Sequence, residues 1–165
     1  VDVADLGTGS GAIALAIAHE RPRARILATD RSPAALAVAR ANARRLAIGT
    51  VEFTTGDWCG ALGTRTFDVI VSNPPYIPSQ DRHLAQGDVR FEPRRALAAG
   101  TDGMADLTAI ARCAQRHLRS GGWLMLEHGH DQRAAVTRLL KALDYRDIAA
   151  YPDDAGLDRV ACGRR

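Results

Sequence analysis

The stretch Asp5-Leu6-Gly7-Thr8-Gly9-Ser10-Gly11-Ala12 constrains the fold more than any other part of the chain. It joins an apolar run, Val1–Leu6, to a helix-forming run, Ala12–Glu20, so alternate glycines make the corner between a strand and a helix. The same order recurs downstream. Strands are predicted at Arg25–Thr29, Val51–Thr55, Phe67–Val71, Trp123–Glu127, Arg146–Tyr151 and Asp158–Cys162. Helices are predicted at Ala34–Leu46, after the cap-then-proline pair Ser32-Pro33, at Asp106–Leu118, ended by Ser120-Gly121-Gly122, and at Gln132–Leu143. In the first helix, Ser10 is the expected cap and Ile13, Ala16 and Ile17 the expected apolar face. Such alternation predicts an α/β fold with a doubly wound, mainly parallel sheet covered on both faces. Only a turn, Pro152–Gly156, separates the last two strands, which predicts one antiparallel strand near an edge. The Pro-rich segment 74–100 is expected to be a long ordered loop.

With 165 residues, 46% of them hydrophobic, the chain is read as one domain, 1–165, around one core. No segment approaches the ~18 uninterrupted apolar residues of a membrane span, and no signal-peptide pattern opens the chain. The sequence starts on an apolar run without a Met, so a missing N-terminal part is expected. Cys59, Cys113 and Cys162 are odd in number and far apart, which points to a reduced, cytoplasmic setting and neither to a disulfide framework nor to a zinc site. The net charge is +3, and Lys141 is the only lysine. The arginines are scattered: Glu20-Arg21-Pro22-Arg23 and Arg44-Arg45 read as solvated helix ends, and no stable nucleic-acid binding or membrane association is expected.

Ligands of doubly wound sheets sit beyond the carboxyl ends of the strands. Several chemistry-bearing stretches fall at such ends. Gly7, Thr8, Gly9 and Gly11 open a helix whose free N–H groups suit a carboxylate or phosphate, and Asp30 closes the next strand, where it can accept from both hydroxyls of a ribose. Two cofactors compete for this turn. Gly7-x-Gly9-x-x-Ala12 satisfies the loose dinucleotide fingerprint of NAD proteins. Asp-x-Gly-x-Gly-x-Gly equally resembles this turn in S-adenosylmethionine (SAM) methyltransferases, a likeness that implies Asp5 helps hold the methionine ammonium, a cation with no counterpart in NAD. Asp57-Trp58, after the third strand, offers an acceptor for an adenine amino group and an indole to cover the ring. Asp5, Asp30 and Asp57 at three successive strand ends favour SAM.

Asn73-Pro74-Pro75-Tyr76 ends the fourth strand with residues unfit for one. Two prolines stiffen the corner and keep their carbonyl acceptors. The Asn73 side-chain oxygen and the Pro74 carbonyl then form a rigid acceptor pair for a planar –NH2, with the Tyr76 ring to stack on it. Such a nitrogen is a weak nucleophile. Holding it in line with a sulfonium methyl supplies orientation and stabilises the positive charge that builds on it.

Asp5–Gly11, Asp30, Asp57 and Asn73–Tyr76 together resemble a class I SAM-dependent methyltransferase of the amino-methylating kind, with a seven-stranded Rossmann-like sheet. Gln86–Met104 and Leu126–Gln132 narrow the resemblance to the HemK-type release-factor glutamine methyltransferases. It implies N5-methylation of the glutamine in the Gly-Gly-Gln motif of peptide chain release factors, and an N-terminal helical docking domain, expected in the missing part before Val1. A ribosomal-protein glutamine, or an amino group of adenine or guanine in nucleic acid, is the alternative substrate. Arg90 and Glu92 are read as an ion pair and Phe91 as an anchor for the long loop. Glu127-His128-Gly129-His130 lacks a third ligand at metal spacing, so no metal is expected; His128 is read as lining the pocket or supporting the Asn73 corner.

Overall fold

Every residue of the first strand, β1 (Asp2–Leu6), is buried, as a central strand must be when helices cover both faces of a parallel sheet. The computed structural model describes residues 1–75 and 103–165. After β1 come α1 (Ala12–Glu20), β2 (Arg25–Asp30), α2 (Pro33–Arg45), β3 (Val51–Thr55), a 3₁₀ helix (Trp58–Leu62) and β4 (Phe67–Ser72). Then follow α3 (Ala105–His117), β5 (Leu118–Glu127), α4 (Arg133–Ala142), β6 (Arg146–Pro152) and β7 (Asp158–Arg164). Beyond Pro75 the expected long loop, with Tyr76, Arg90, Phe91 and Glu92, lies outside the described residues.

The seven strands form one sheet in the order β3-β2-β1-β4-β5-β7-β6. Pairing is parallel from β3 through to β5. Strand β7 runs antiparallel to both β5 and β6, one place in from the edge. The expected doubly wound, mainly parallel sheet with its antiparallel strand is thus what forms. The chain winds outward through β2 and β3, then crosses to β4 on the other side of β1. Their carboxyl ends frame the crevice where such sheets bind ligands.

On one face, Ala4, Leu6, Ile70, Leu124 and Leu126 pack against Leu107 and Ile110 of α3 and Val136 and Leu140 of α4. On the other, Val3, Ile26 and Ala28 meet Ala14 and Ala18 of α1. Removing each of the larger side chains from water contributes about 1.5–3 kcal/mol. No helix among the described residues is long and apolar enough to cross a membrane.

Four local expectations need correction. The buried stripe of α1 is Ala14, Leu15 and Ala18; Ala16 is exposed and Ile13 and Ile17 are half-buried, because the helix is rotated so that Ala14 and Ala18, one turn apart, meet Val3, Ile26 and Ala28 of the sheet. Ser10 does not cap it: Gly11 takes the N-cap position at φ 85 without a side-chain bond, a left-handed conformation that glycine adopts freely. By contrast, Ser32 caps α2 as expected, its hydroxyl accepting from the Ala35 N–H at 3.2 Å. Third, Gly121-Gly122 does not divide α3 from β5. Leu118 already pairs with Phe67, and the register shifts before Val69 meets Trp123, so the glycines form a bulge inside a longer strand. Fourth, Cys59 and Cys113 are joined in a disulfide, with Cα atoms 6.0 Å apart. Their separation of 54 residues concealed a meeting of the 3₁₀ helix with α3. Cys162 is free and buried.

Candidate active site

The glycine corner follows β1, and Asp5 is the acid closest to it on the strand. Its side chain is buried, 1% exposed. The Thr8 hydroxyl donates to Asp5 Oδ2 at 2.6 Å and the Ala14 N–H donates to the same oxygen at 3.1 Å. Asp5 Oδ1 is buried with no hydrogen-bond partner. Burial pushes the carboxyl up to about 6, against the pull of Thr8 and Ala14, and the nearby Asp30 charge adds to the rise. A carboxylate in this state lacks a cation or donor on one oxygen.

Asp30, the last residue of β2, orders the turn from the side. Its Oδ2 accepts the Gly9 N–H at 2.9 Å and its Oδ1 accepts the Ser32 N–H at 2.8 Å. The Asn42 side-chain amide reaches over from α2 and donates to the Ser10 carbonyl at 3.0 Å. The Thr8 N–H donates to the Thr29 carbonyl at 2.8 Å. A Cβ on Gly9 would meet nothing within 4 Å, so open space lies over the turn. A Cβ on Gly7, which sits at φ +71, would come 3.0 Å from the Trp58 ring. The indole therefore lies directly against the glycine corner.

Trp58 begins the 3₁₀ helix that follows β3, with Asp57 exposed just before it. Its φ of 39 puts a bulky residue in the left-handed region, a costly conformation held only by its surroundings. The indole packs against the core cluster that includes Leu107 and Ile110 of α3; at the start of that helix, burial raises the Asp106 carboxyl, and the Arg31 charge, then the neighbouring Trp58, oppose the rise. At the end of β4, Ser72 is buried and its hydroxyl donates to the Leu6 carbonyl at 2.7 Å, tying the ends of β4 and β1 together. Asn73 is exposed directly above this tie, Pro74 is buried and Pro75 half-buried. Tyr76, the fourth member of the corner, is outside the described residues.

Over residues 1–91 the chain matches the profile of the methyltransferase small domain. It belongs to that family. Among curated relatives, the release factor glutamine methyltransferase of Xylella fastidiosa (strain Temecula1) is 56% identical over 98% of this chain and 59% of its own length. The protein of the same name from Salmonella typhimurium is 52% identical over 98% of the chain and 58% of its own length. The chain therefore spans somewhat over half of the curated relatives it matches. The resemblance read from Gln86–Met104 and Leu126–Gln132 accords with these names. A solved structure of a ribosomal protein L11 methylase from Lactobacillus delbrueckii subsp. bulgaricus superposes with a TM-score of 0.69 at 22% identity, over 99% of this chain and 70% of that one. At that identity the likeness speaks for the fold, which is that of class I methyltransferases.

Asp5, Gly7, Thr8, Gly9, Gly11 and Asp30 form one connected cluster, and Trp58 joins it through Gly7. Asp57 and Asn73 follow β3 and β4, which β2 and β1 separate in the sheet, and both stand at the carboxyl ends of its parallel strands. Thr8 is committed to holding Asp5. Sequence reasoning missed Asn42, Ser72 and Asp106, whose types carry no signal until the fold brings them to the crevice. His128 and His130 do not converge: His128 is fully buried, and His130 is exposed. His128 Nδ1 lies 2.8 Å from the Gly129 carbonyl and Nε2 has no partner. Ser72 is in register with Leu126, so His128 and Pro74 lie two residues further along neighbouring strands. A cleft of about 420 Å³ among Asp2, Arg25, Glu52, Arg65 and Arg119 lies at the opposite, amino end of the strands. Its arginines are all ion-paired, which leaves the carboxyl-end crevice as the candidate site.

Proposed function

We propose that the protein methylates the side-chain amide of the glutamine in the Gly-Gly-Gln motif of peptide chain release factors, with SAM as methyl donor. The observation that carries the cofactor is Asp5 Oδ1, a buried carboxylate oxygen with no donor at the glycine corner. An amino-acid ammonium satisfies it with both charge and N–H donors; a nicotinamide dinucleotide has no ammonium, and its cationic ring nitrogen bears no hydrogen to donate. The chain's own residues fit the rest of SAM. Asp30, oriented by Gly9 and Ser32, keeps lone pairs for the two ribose hydroxyls. Asp57 accepts from the adenine amino group and Trp58 covers the ring. When bound, SAM supplies an electrophilic methyl on a sulfonium.

Asn73 and Pro74 supply the second half of the chemistry. Their acceptors hold the glutamine –NH2 in one orientation and stabilise the positive charge that develops on its nitrogen. Tyr76 stacks on the amide plane. No general base is needed, because the proton becomes acidic as the nitrogen is methylated and leaves to water. Two features support release factor as the substrate: the names of the relatives and the sequence of Gln86–Met104.

The test is incubation of the protein with SAM and a bacterial class 1 release factor, followed by mass analysis of the Gly-Gly-Gln peptide. One added methyl on that glutamine is expected. Asn73→Ala should cut the transfer by ~10²-fold or more while leaving SAM affinity within about twofold. Methyl transfer to RNA and none to the peptide overturns the substrate; binding of NAD in place of SAM overturns the cofactor.

A further inference from the structure

We propose that Cys59 and Cys113 form a reversible thiol–disulfide site that sets the affinity of the adenine end of the cofactor crevice, with glutathione disulfide or a like small disulfide as oxidant. The inference rests on the SAM reading above.

The two sulfurs join functional parts of the crevice. Cys59 directly follows Asp57 and Trp58, and Cys113 lies in α3, whose Leu107 and Ile110 belong to the cluster against which the indole packs. Trp58 needs that support. Its left-handed φ of 39 is costly for a bulky residue, and such a conformation persists where neighbours over-determine it. One constraint is the packing against the cluster with Leu107 and Ile110 of α3, a second is the packing on Gly7, and the third is the covalent bond at the next residue. Reduction removes the third. The 3₁₀ helix then has freedom to relax toward ordinary backbone angles, drawing the indole off the glycine corner and Asp57 off its adenine position.

The sulfurs are also reachable. A cleft of about 260 Å³ opens over Cys59 and Cys113 and is bounded by Arg116 and His117. Arg116 is exposed and has no acidic partner among the described residues. An anionic tripeptide such as glutathione meets a free guanidinium there. Cys113 is half-buried and Cys59 buried, so Cys113 is the first to react. Its thiolate attacks one sulfur of glutathione disulfide and expels a glutathione thiolate, leaving a mixed disulfide. The Cys59 thiolate then attacks the Cys113 sulfur and expels the second glutathione thiolate. In sum, two cysteine thiols lose two electrons, one S–S bond forms, and glutathione disulfide is reduced to two glutathiones that take up the two protons.

The full chain, equilibrated in glutathione redox buffers and alkylated with iodoacetamide, should pass from a form in which Cys59 and Cys113 resist alkylation to one in which both are modified. Calorimetry should find SAM bound about fivefold or more tightly to the crosslinked form. By reciprocity, saturating SAM should shift the midpoint of the redox titration toward more reducing buffers by the same factor. Cys113→Ser should bind like the reduced wild type under both conditions. Equal SAM affinity in the two redox states overturns the inference and leaves the proposed function standing, as does a redox response that survives in Cys113→Ser. Absence of SAM binding in either state overturns the cofactor reading itself and the coupling with it, whatever the alkylation pattern.

Discussion

Asp2 and Asp5 lie three residues apart on the same strand, both buried, yet their surroundings are opposite. Asp2, at the amino end of the sheet, accepts from the guanidinium groups of Arg25 and Arg119. Arg119 also reaches Asp68 at 2.7 Å, and the Asp2 N–H donates to Asp68 at 2.7 Å. The bond from Arg25, then that from Arg119, holds the Asp2 carboxyl well below the usual range despite its burial. Asp5, at the carboxyl end, has a hydroxyl and one amide on one oxygen and nothing on the other, and burial raises it to about 6. One end of β1 is electrostatically complete and contributes to folding. The other leaves one buried carboxylate oxygen without a hydrogen-bond donor. Buried groups whose protonation is perturbed by desolvation mark functional sites more often than those perturbed by a complete ion-pair network.

The largest effect that sharpens this contrast is expected from Asp5→Asn. If Asp5 holds the ammonium as proposed, losing its carboxylate should weaken SAM by about 3 kcal/mol, or ~10²-fold, as read by calorimetry. In the wild type, SAM affinity should fall as pH drops below about 6, because protonated Asp5 no longer attracts a cation. Stability of the free protein should show the matching sign. Between about 4 and 6 the unfolded chain ionises Asp5 while the folded one keeps its proton, so stability declines with rising pH by on the order of 2–3 kcal/mol. Denaturant titrations of Asp5→Asn should lack that slope; a slope that persists would place its origin in another group.

A smaller loss is expected from Asp30→Ala. Removing the charged acceptor of the ribose hydroxyls should weaken SAM by ~1.5–3 kcal/mol, part of it because the Gly9 and Ser32 amides lose their common partner. The smallest effect belongs to the opposite end. Arg119→Ala should lower the unfolding midpoint slightly and leave SAM affinity unchanged. Asp2 contributes stability above its ordinary carboxylate range that is lost as pH falls; with Arg119 gone, the loss should set in at higher pH. A change in SAM binding in that variant would mean that the two ends of β1 are coupled after all.

Much of the architecture was legible because local signals agreed. Alternating apolar runs and helix formers, the Ser32-Pro33 start and the short Pro152–Gly156 turn each point to one element in one place. The failures share a different cause. Leu118 reads as the end of a helix, but pairing with Phe67 and the pull of Asp68 on Arg119 recruit it into β5. The apolar face of α1 reads from the sequence as Ile13, Ala16 and Ile17, whereas packing on the sheet selects Ala14, Leu15 and Ala18. The 3₁₀ helix at Trp58–Leu62 carries no periodic pattern at all.

The candidate site divides in the same way. Sequence alone determined which residues stand at the strand ends, because a glycine corner, strand-ending acids and an Asn-Pro-Pro corner are local statements about backbone and charge. Only the tertiary structure decided how those residues are supported. It brought Thr8 to one oxygen of Asp5 and left the other bare, set the Trp58 ring against Gly7, tied β4 to β1 through Ser72, and joined Cys59 to Cys113 across 54 residues. Contacts of that kind depend on which elements become neighbours when the sheet order reverses beside β1, and no window of sequence contains that information.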